Sequence, residues 1–476
     1  MSKAKRLYVL LGVLAAVCIA TFAVKHIETK KEDIRVSGET VFSLDAESVT
    51  GISWTRGEDS LSFYKDDDGA WKYAADEAFP VDADKINERL GLFEAFNAAF
   101  TIENADDLGA YGLDKPECTV TLTTADGDIR VALGDYSNMD AQRYVSFGGD
   151  TVYLAAEDPL DSFGTELKAM IKNDTTPDIT EADTLTFSGG ESYTIVRDEN
   201  GESICEDDIY FADGKPLDTS KVKSYLRVIA SLGLGEYASY DVNLDKLGFY
   251  GLDNPAFTVN LGYTDEDGEE KSFSLAVGQN ESEVEIAEKN GEDASSVQAY
   301  CRVGESKIMY ELNSVDYKAL LNAGFDDLRH DELFTGDFDA LASVTFTLDG
   351  EDYRFDYSAE KEEKTLFSDA EKRWRYNGEV IDDDAIADIE SALCALSAAS
   401  FTEEYPTGKS EIAVTLCFGN ENADTLTLEL YRRDGSLCLA EVDGKPTALC
   451  TRESMTKLCE AVYAVTLGGN TDETEN

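Results

Sequence analysis

The chain has 476 residues, of which 97 are acidic and 41 basic, for a formal charge of −56. A surface of that sign repels phosphate backbones and anionic headgroups out to about one Debye length, roughly 8–10 Å, so nucleic acid is excluded as a partner. Hydrophobic residues at 42% and aromatics at 10% exclude wholesale disorder, and the length exceeds what a single core supports, so about three domains are expected.

The first element is an uncharged run over residues 7–24, preceded by Lys3, Lys5 and Arg6. As a helix it spans roughly 27 Å, close to the hydrocarbon thickness of a bilayer. A cleaved signal peptide is the competing reading, with Thr21 and Ala23 as small residues before a cut. Its apolar region is normally shorter, about 7–15 residues, which favours an uncleaved anchor. Residues 1–6 then form a short cytoplasmic tail and the rest of the chain is exported, although Lys25, Lys30 and Lys31 weaken the charge asymmetry. Cys18 lacks the leucine three positions earlier that a lipoprotein site uses. The other cysteines include no C-x-x-C pair for zinc or redox chemistry, and Cys118 shares strand parity with Val120 and Leu122. Free thiols in an exported chain would suggest a cell living without oxygen.

A first module is expected over 34–173. Ile52 and Trp54, Leu61 and Phe63, and Trp71 and Tyr73 mark three short strands, with Asp68-Gly69 as a hairpin turn. Pro80-Val81-Asp82 leads into a helix whose Ile86, Leu90 and Phe93 recur on one face. Next come Tyr-Gly-Leu-Asp-Lys-Pro at 111–116, strands through Val120 and Leu122, Ile129 to Leu133 with Gly134, Tyr144 with Ser146, and 152–154, and a short helix from Pro159.

The second module, 178–323, repeats this order. Leu185 and Phe187, Tyr193 and Ile195, and Ile209 and Phe211 mark strands, and Pro216-Leu217-Asp218 precedes a helix with Val222, Leu226 and Ile229. Tyr-Gly-Leu-Asp-Asn-Pro at 250–255 lies 250 − 111 = 139 residues after its first copy, which is duplication. Val259 and Leu261, Phe273 and Leu275 with Gly278, Tyr300 with Arg302, and Met309-Tyr310 follow, then a helix from Ser314. The acidic segment 280–296 reads as a loop insertion. In the hexapeptide the glycine permits positive φ and the proline sets the exit into a strand, so it reads as a structural corner.

A third, degenerate module is expected over 333–467. Val344 and Phe346, Tyr353 and Phe355, and Trp374 and Tyr376 are its strands, and Ile381-Asp382 leads to a helix with Ile386, Ile389, Leu393 and Leu396. Val414 to Leu416, 427–430, 437–441 and 448–450 complete it, with only Tyr405-Pro406 where the hexapeptide belongs. Residues 468–476 are an acidic, disordered tail.

The anchor, the two Tyr-Gly-Leu-Asp-x-Pro turns, the Leu133-Gly134 and Val277-Gly278 pairs and the Tyr144 and Val152-Tyr153 strands resemble bacterial membrane-anchored proteins carrying the domain of unknown function 4340. The resemblance covers the first two modules well and the third weakly. It implies an association with membrane exporters of the ABC type, including gliding-motility-like systems, and it brings no catalytic residues.

Other motifs carry little chemistry. His26 and His330 are the only histidines, and His330, within the charged stretch 326–332, is expected to be an exposed linker residue. Ser220 with Lys223 and Ser454 with Lys457 fit S-x-x-K, without its partner motifs. Gly408-Lys409-Ser410 lacks the first glycine of a phosphate-binding loop, where Glu403 stands, and Gly233-Leu234-Gly235 follows a helix rather than a strand. Asp66-Asp67-Asp68-Gly69 and Asp265-Glu266-Asp267-Gly268 hint at calcium loops, but Tyr64 and Tyr263 occupy the first ligand position, so both read as hairpin turns with at most weak calcium binding.

The expected architecture is therefore α+β: an N-terminal transmembrane helix followed by three related modules of mainly antiparallel sheet with packed helices. The expected function is a non-enzymatic accessory or scaffold at the bacterial cell membrane, single-pass, with the bulk of the chain extracytoplasmic. It partners the membrane through 7–24 and ABC transporter subunits or other envelope proteins, with no cofactor, no metal and no catalytic residue. The alternatives are an envelope hydrolase or glycan-active enzyme using two acidic residues, one of raised pKa, and a calcium-responsive binding module.

Overall fold

The computed structural model describes residues 38–359, 372–419 and 424–468, so the expected anchor at 7–24, His26 and the acidic tail beyond 468 lie outside the described residues. Among the described residues no helix is long and apolar enough to cross a membrane.

The chain builds three nine-stranded antiparallel sheets, a mainly-β α+β fold. The first takes β1 (Glu39–Phe42), β2 (Val49–Arg56), β3 (Asp59–Lys65), β4 (Trp71–Tyr73), β5 (Phe96–Ile102), β6 (Cys118–Thr124), β7 (Gly127–Ser137), β8 (Gln142–Ser146) and β9 (Val152–Ala155), with helix α1 (Ala83–Glu94) between β4 and β5. Its order is β1-β5-β9-β8-β7-β6-β2-β3-β4. Because β4 and β5 lie towards opposite edges, α1 must carry the chain across the sheet, and it does so with Ile86, Leu90 and Phe93 buried. Asp82 caps its first turn by accepting from the Asp84 N–H. Under the helix, Trp54 is fully buried and its indole N–H donates to Gly164 O at 2.8 Å.

The second sheet takes β10 (Thr184–Gly189), β11 (Tyr193–Arg197), β12 (Tyr210–Ala212), β13 (Lys215–Leu217), β14 (Tyr237–Ser239), β15 (Phe257–Thr264), β16 (Glu270–Gln279), β17 (Ala299–Val303) and β18 (Met309–Leu312). Helix α2 (Thr219–Ala230) is the counterpart of α1, capped by Asp218 and burying Val222, Tyr225, Leu226 and Ile229. Three further helices follow: α3 (Glu281–Asn290), α4 (Ser314–Leu321) and α5 (Phe325–Leu328). The third sheet takes β19 (Leu341–Leu348), β20 (Glu351–Ala359), β21 (Lys372–Tyr376), β22 (Glu379–Val380), β23 (Ala398–Phe401), β24 (Ser410–Phe418), β25 (Thr425–Arg432), β26 (Leu437–Val442) and β27 (Lys445–Thr451). It adds α6 (Asp383–Cys394), capped by Asp382, and α7 (Arg452–Gly468).

Counted from one to nine within each sheet, the second and third share the order four-three-two-one-six-seven-eight-nine-five. The first runs the same way from its third strand back, with two differences: Val81 makes only an isolated bridge to Ile171 where the fourth strand stands elsewhere, and β1 is added beyond β5. The sheet that lacks the hexapeptide thus repeats the topology of the one that has it.

Several details differ from the sequence expectation. Residues 280–296 are not a loop insertion, because Asn280 caps α3, Glu281 and Glu283 sit in its positive first turn, and Gly291 at φ 77° ends it. Only Ala287 of that helix is buried, so it shows no apolar stripe. The strand near Ile209 buries Tyr210, whose hydroxyl accepts from the Ala182 N–H, while Ile209 is half-buried. The helix expected from Pro159 is a single 3-10 turn over Leu160–Ser162. Helix α7 was not anticipated, and it packs Met455, Leu458 and Val462 into the third core beside α6.

By packing, the chain divides into two compact units. One holds the described residues up to Thr175 with Gly233–Leu247 and Glu305–Glu311, and the other holds Thr176–Leu232, Gly248–Gly304 and the described residues from Leu312 onward.

Candidate functional site

The strongest repeated signal is a joint in the backbone. Asp107 caps a 3-10 turn over Leu108–Tyr111, and Gly112 follows it in the left-handed region at φ 67°. A Cβ there would stand 2.3 Å from Asp135 Oδ1, and one on Gly251, at φ 66°, would stand 1.9 Å from the Gln279 carbonyl oxygen. A glycine of the seventh strand, Gly134 on β7 and Gly278 on β16, meets the same joint from the other side. A Cβ on Gly134 would lie 2.3 Å from Tyr111 O, and one on Gly278 would lie 2.2 Å from Gly251 O. The hexapeptide tyrosine then packs edge-on against the tyrosine of the eighth strand, with centroids 4.9 Å apart for Tyr111 and Tyr144 and 5.0 Å apart for Tyr250 and Tyr300. Glycine pair and tyrosine pair hold the corner shut in both copies. In the third module Tyr405 is exposed.

One ion cluster around a buried arginine ties the first corner to its sheet. Arg143 on β8 is almost fully buried, donates to Asp158 Oδ1 at 2.7 Å, and pairs with Glu117 and with the carbonyl of Gly134. Against the pull of desolvation, the two carboxylates hold its guanidinium pKa above the ordinary value.

The calcium-like loops are hairpin turns whose first carboxylate is already engaged. Asp66 Oδ1 accepts from the N–H groups of Asp68 and Ala70, and Asp265 Oδ1 accepts from those of Asp267 and Glu269. Lys72 and Lys271 approach the other oxygens at 3.8 and 3.5 Å. The S-x-x-K residues are occupied as well: Ser220 lies in the first turn of α2, Lys223 pairs with Glu181 at 2.6 Å, and Lys457 pairs with Glu453 at 2.7 Å. Gly408-Lys409-Ser410 enters strand β24, not a helix, so its backbone N–H groups do not converge as a phosphate cradle does.

His330 is not the exposed linker residue expected. Its side chain is 18% exposed, and Nε2 donates to the carboxylate of Asp208 at 2.9 and 3.1 Å, with the Asp208 side chain 1% exposed. That hydrogen bond raises the imidazole pKa against the effect of desolvation. Asp208 is positioned by its own loop: Ser203 Oγ donates to Asp208 Oδ2 at 2.7 Å, the Cys205 N–H donates back to Ser203 Oγ, and the Asp208 N–H donates to Cys205 O. The Cys205 thiol stands at the same place, its pKa raised by burial and further by Asp208, Asp207 and Asp218. Among the described residues, Cys205, Asp208 and His330 form the one group of three metal-ligating side chains whose donor atoms all lie within 4.8 Å of one another. No local pattern links positions 205 and 330; the topology brings them together.

The loop also borders a cavity of about 510 Å³, lined among others by Ile204, Glu206, Asp337, Asp339, Tyr357 and Phe418. A second cavity of about 200 Å³ lies against Tyr193, Lys215 and Phe325. Cys438 and Cys450 face each other across β26 and β27, both fully buried. A hydrogen bond from Cys450 lowers the Cys438 thiol pKa, but neither sulfur is open to a substrate.

Three antiparallel sheets, two of them with a glycine corner between the fifth and sixth strands, define a tandem mainly-β protein. The family model for a domain of unknown function, DUF4340, matches residues 71–249 and again 216–414, and the chain belongs to that family. The second match reaches into β24, so it takes in strands of the third sheet as well as the second. No curated protein and no solved structure matches the chain.

Proposed function

We propose that the protein is a non-enzymatic accessory or scaffold, held in the bacterial membrane by residues 7–24 with its sheets outside the cytoplasm, serving an ABC-type exporter or another envelope assembly. The observation that carries this reading is where the residues repeated between this chain's first two modules go. Gly112, Gly134, Tyr111 and Tyr144, with Gly251, Gly278, Tyr250 and Tyr300, are engaged in backbone approach and ring packing. A residue pattern maintained for a joint supports a protein whose product is its shape.

The hydrolase alternative requires a carboxyl of raised pKa beside a second carboxylate. The described carboxylates with displaced pKa, Asp76, Glu181, Asp265, Asp293, Asp434 and Glu453, are all displaced downward by hydrogen bonds. This favours the scaffold. The test is in-cell crosslinking of the full-length chain followed by affinity purification and mass spectrometry, beside a chain lacking residues 1–24. Recovery of exporter or envelope subunits only with the anchor present is expected. Recovery of no membrane partner by either chain overturns the proposal.

A further inference from the structure

We propose that Cys205, Asp208 and His330 form a binding site for one divalent transition-metal cation of the zinc class. Thiolate, carboxylate and imidazole are the donor types that zinc takes, and three protein donors leave a fourth position for water. The donor atoms already lie within 4.8 Å of one another, with His330 Nε2 and the Asp208 oxygens at 2.9 and 3.1 Å. In a tetrahedral zinc site such donors sit about 3.3–3.6 Å apart, so closure needs the donors to approach by at most about 1.5 Å, a distance side-chain rotation can supply.

Two features beyond the donor set point the same way. The carboxylate of Asp208 is held from behind by Ser203 Oγ at 2.7 Å, and the Cys205 N–H bonds that same hydroxyl at 3.2 Å, which is the outer-shell support that orients metal ligands. The surroundings are also acidic. Asp218 and Glu332 act on His330, and Asp207 and Asp218 act on Cys205, while the nearby Lys221 is paired with Asp331 at 2.7 Å. A dication neutralises this excess where a proton on one imidazole does not. On binding, the thiol proton leaves to solvent, and the imidazole coordinates through Nε2 as the neutral ring with its one proton on Nδ1, releasing a second ring proton only where the ring begins as imidazolium.

The ligands come from the loop before β12 and from the segment after α5, 330 − 205 = 125 residues apart in sequence. The cation would therefore pin the loop between β11 and β12 to the segment that leaves α5.

The test uses the full-length chain in detergent, purified without a histidine tag, with zinc and cobalt ions as probes. After dialysis the wild type should retain one zinc per chain, and its cobalt form should show a thiolate-to-metal charge-transfer band. Cys205→Ser should abolish the band, His330→Gln should abolish retention, and Ser203→Ala should weaken zinc by about tenfold. In the unmutated chain zinc should slow alkylation of Cys205 and leave the exposed Cys394 unchanged, a readout that depends on no variant folding. Substoichiometric zinc in the wild type, retention unchanged in Cys205→Ser and His330→Gln, or equal alkylation with and without zinc would each overturn the proposal.

Discussion

At Gly251 a methyl group would sit 1.9 Å from a backbone carbonyl, whereas at Gly112 its nearest neighbour is the Asp135 carboxylate at 2.3 Å, the end of a side chain that can turn away in part. Both residues have positive φ, and so does Gly57 at φ 66°, where a Cβ meets nothing within 4 Å. Gly57→Ala should therefore cost only the conformational term, about 1 kcal/mol. Gly112→Ala should cost more, and Gly251→Ala most, at least about 3 kcal/mol once the backbone must shift. Hydrogen exchange of the strand after each corner measures the series, and equal losses at all three positions would refute the joint. A pH effect belongs to the same scale. Tyr240 donates to Asp76 Oδ2 at 2.7 Å, and this bond with the Ala78 N–H lowers the Asp76 pKa. A depressed carboxyl contributes stability that is present above its unfolded pKa, about 3.9, and is lost as pH falls through the lower folded value. Tyr240→Phe should destabilise the chain at pH 6 and make progressively less difference below pH 4, as followed by thermal melts.

Among elements, the helices that cross the sheets were legible because their signals are local: aspartate at 82, 218 and 382, then apolar residues at helical spacing. Asp218→Ala should cost about 1 kcal/mol of stability in α2, since Asp218 Oδ1 accepts from both Ser220 and Lys221 N–H groups. Helix α3 escaped that logic because a solvated helix with one buried alanine has no stripe to read, although its Asn280 cap and Gly291 stop were visible. Many strand ladders were legible through alternation, which fails at β12, where Tyr210, Phe211 and Ala212 are all buried, and at β26, where Cys438 to Glu441 are all buried. Arg143 and His330 could not be found in the same way. Their partners, Glu117, Asp158 and Asp208, are placed by tertiary folding, and a sequence with 97 acidic residues offers a partner at every turn. Removing Arg143 takes a buried side chain out of its packing and leaves Glu117 and Asp158, both reached by solvent, without their partner, so Arg143→Ala should destabilise by about 2 kcal/mol. Guanidinium-induced unfolding read at Trp54 and Trp71 should show it, and a shift below about 1 kcal/mol would mean the cluster is solvated and dispensable.

At the scale of the whole molecule, the second and third sheets share one strand order, the first departs from it by a missing fourth strand and the added β1, and the third keeps it without the hexapeptide that marks the other two. Alternation and the crossing helix are enough to specify that topology, and the glycine corner refines it. The family relation covers residues from 71 to 414 in two overlapping matches and brings fold, not chemistry. The proposed function therefore rests on tethering: the proposal puts the sheets of this chain of −56 charge outside a membrane that residues 7–24 would span. Cys394 lies at the exposed end of α6 and makes that claim measurable. A membrane-impermeant maleimide applied to intact cells should label Cys394, and the labelled chain should stay in the membrane pellet through an alkaline carbonate wash, unlike a chain lacking residues 7–24. Labelling of Cys394 only after lysis, or release of the full-length chain by the wash, would contradict the account.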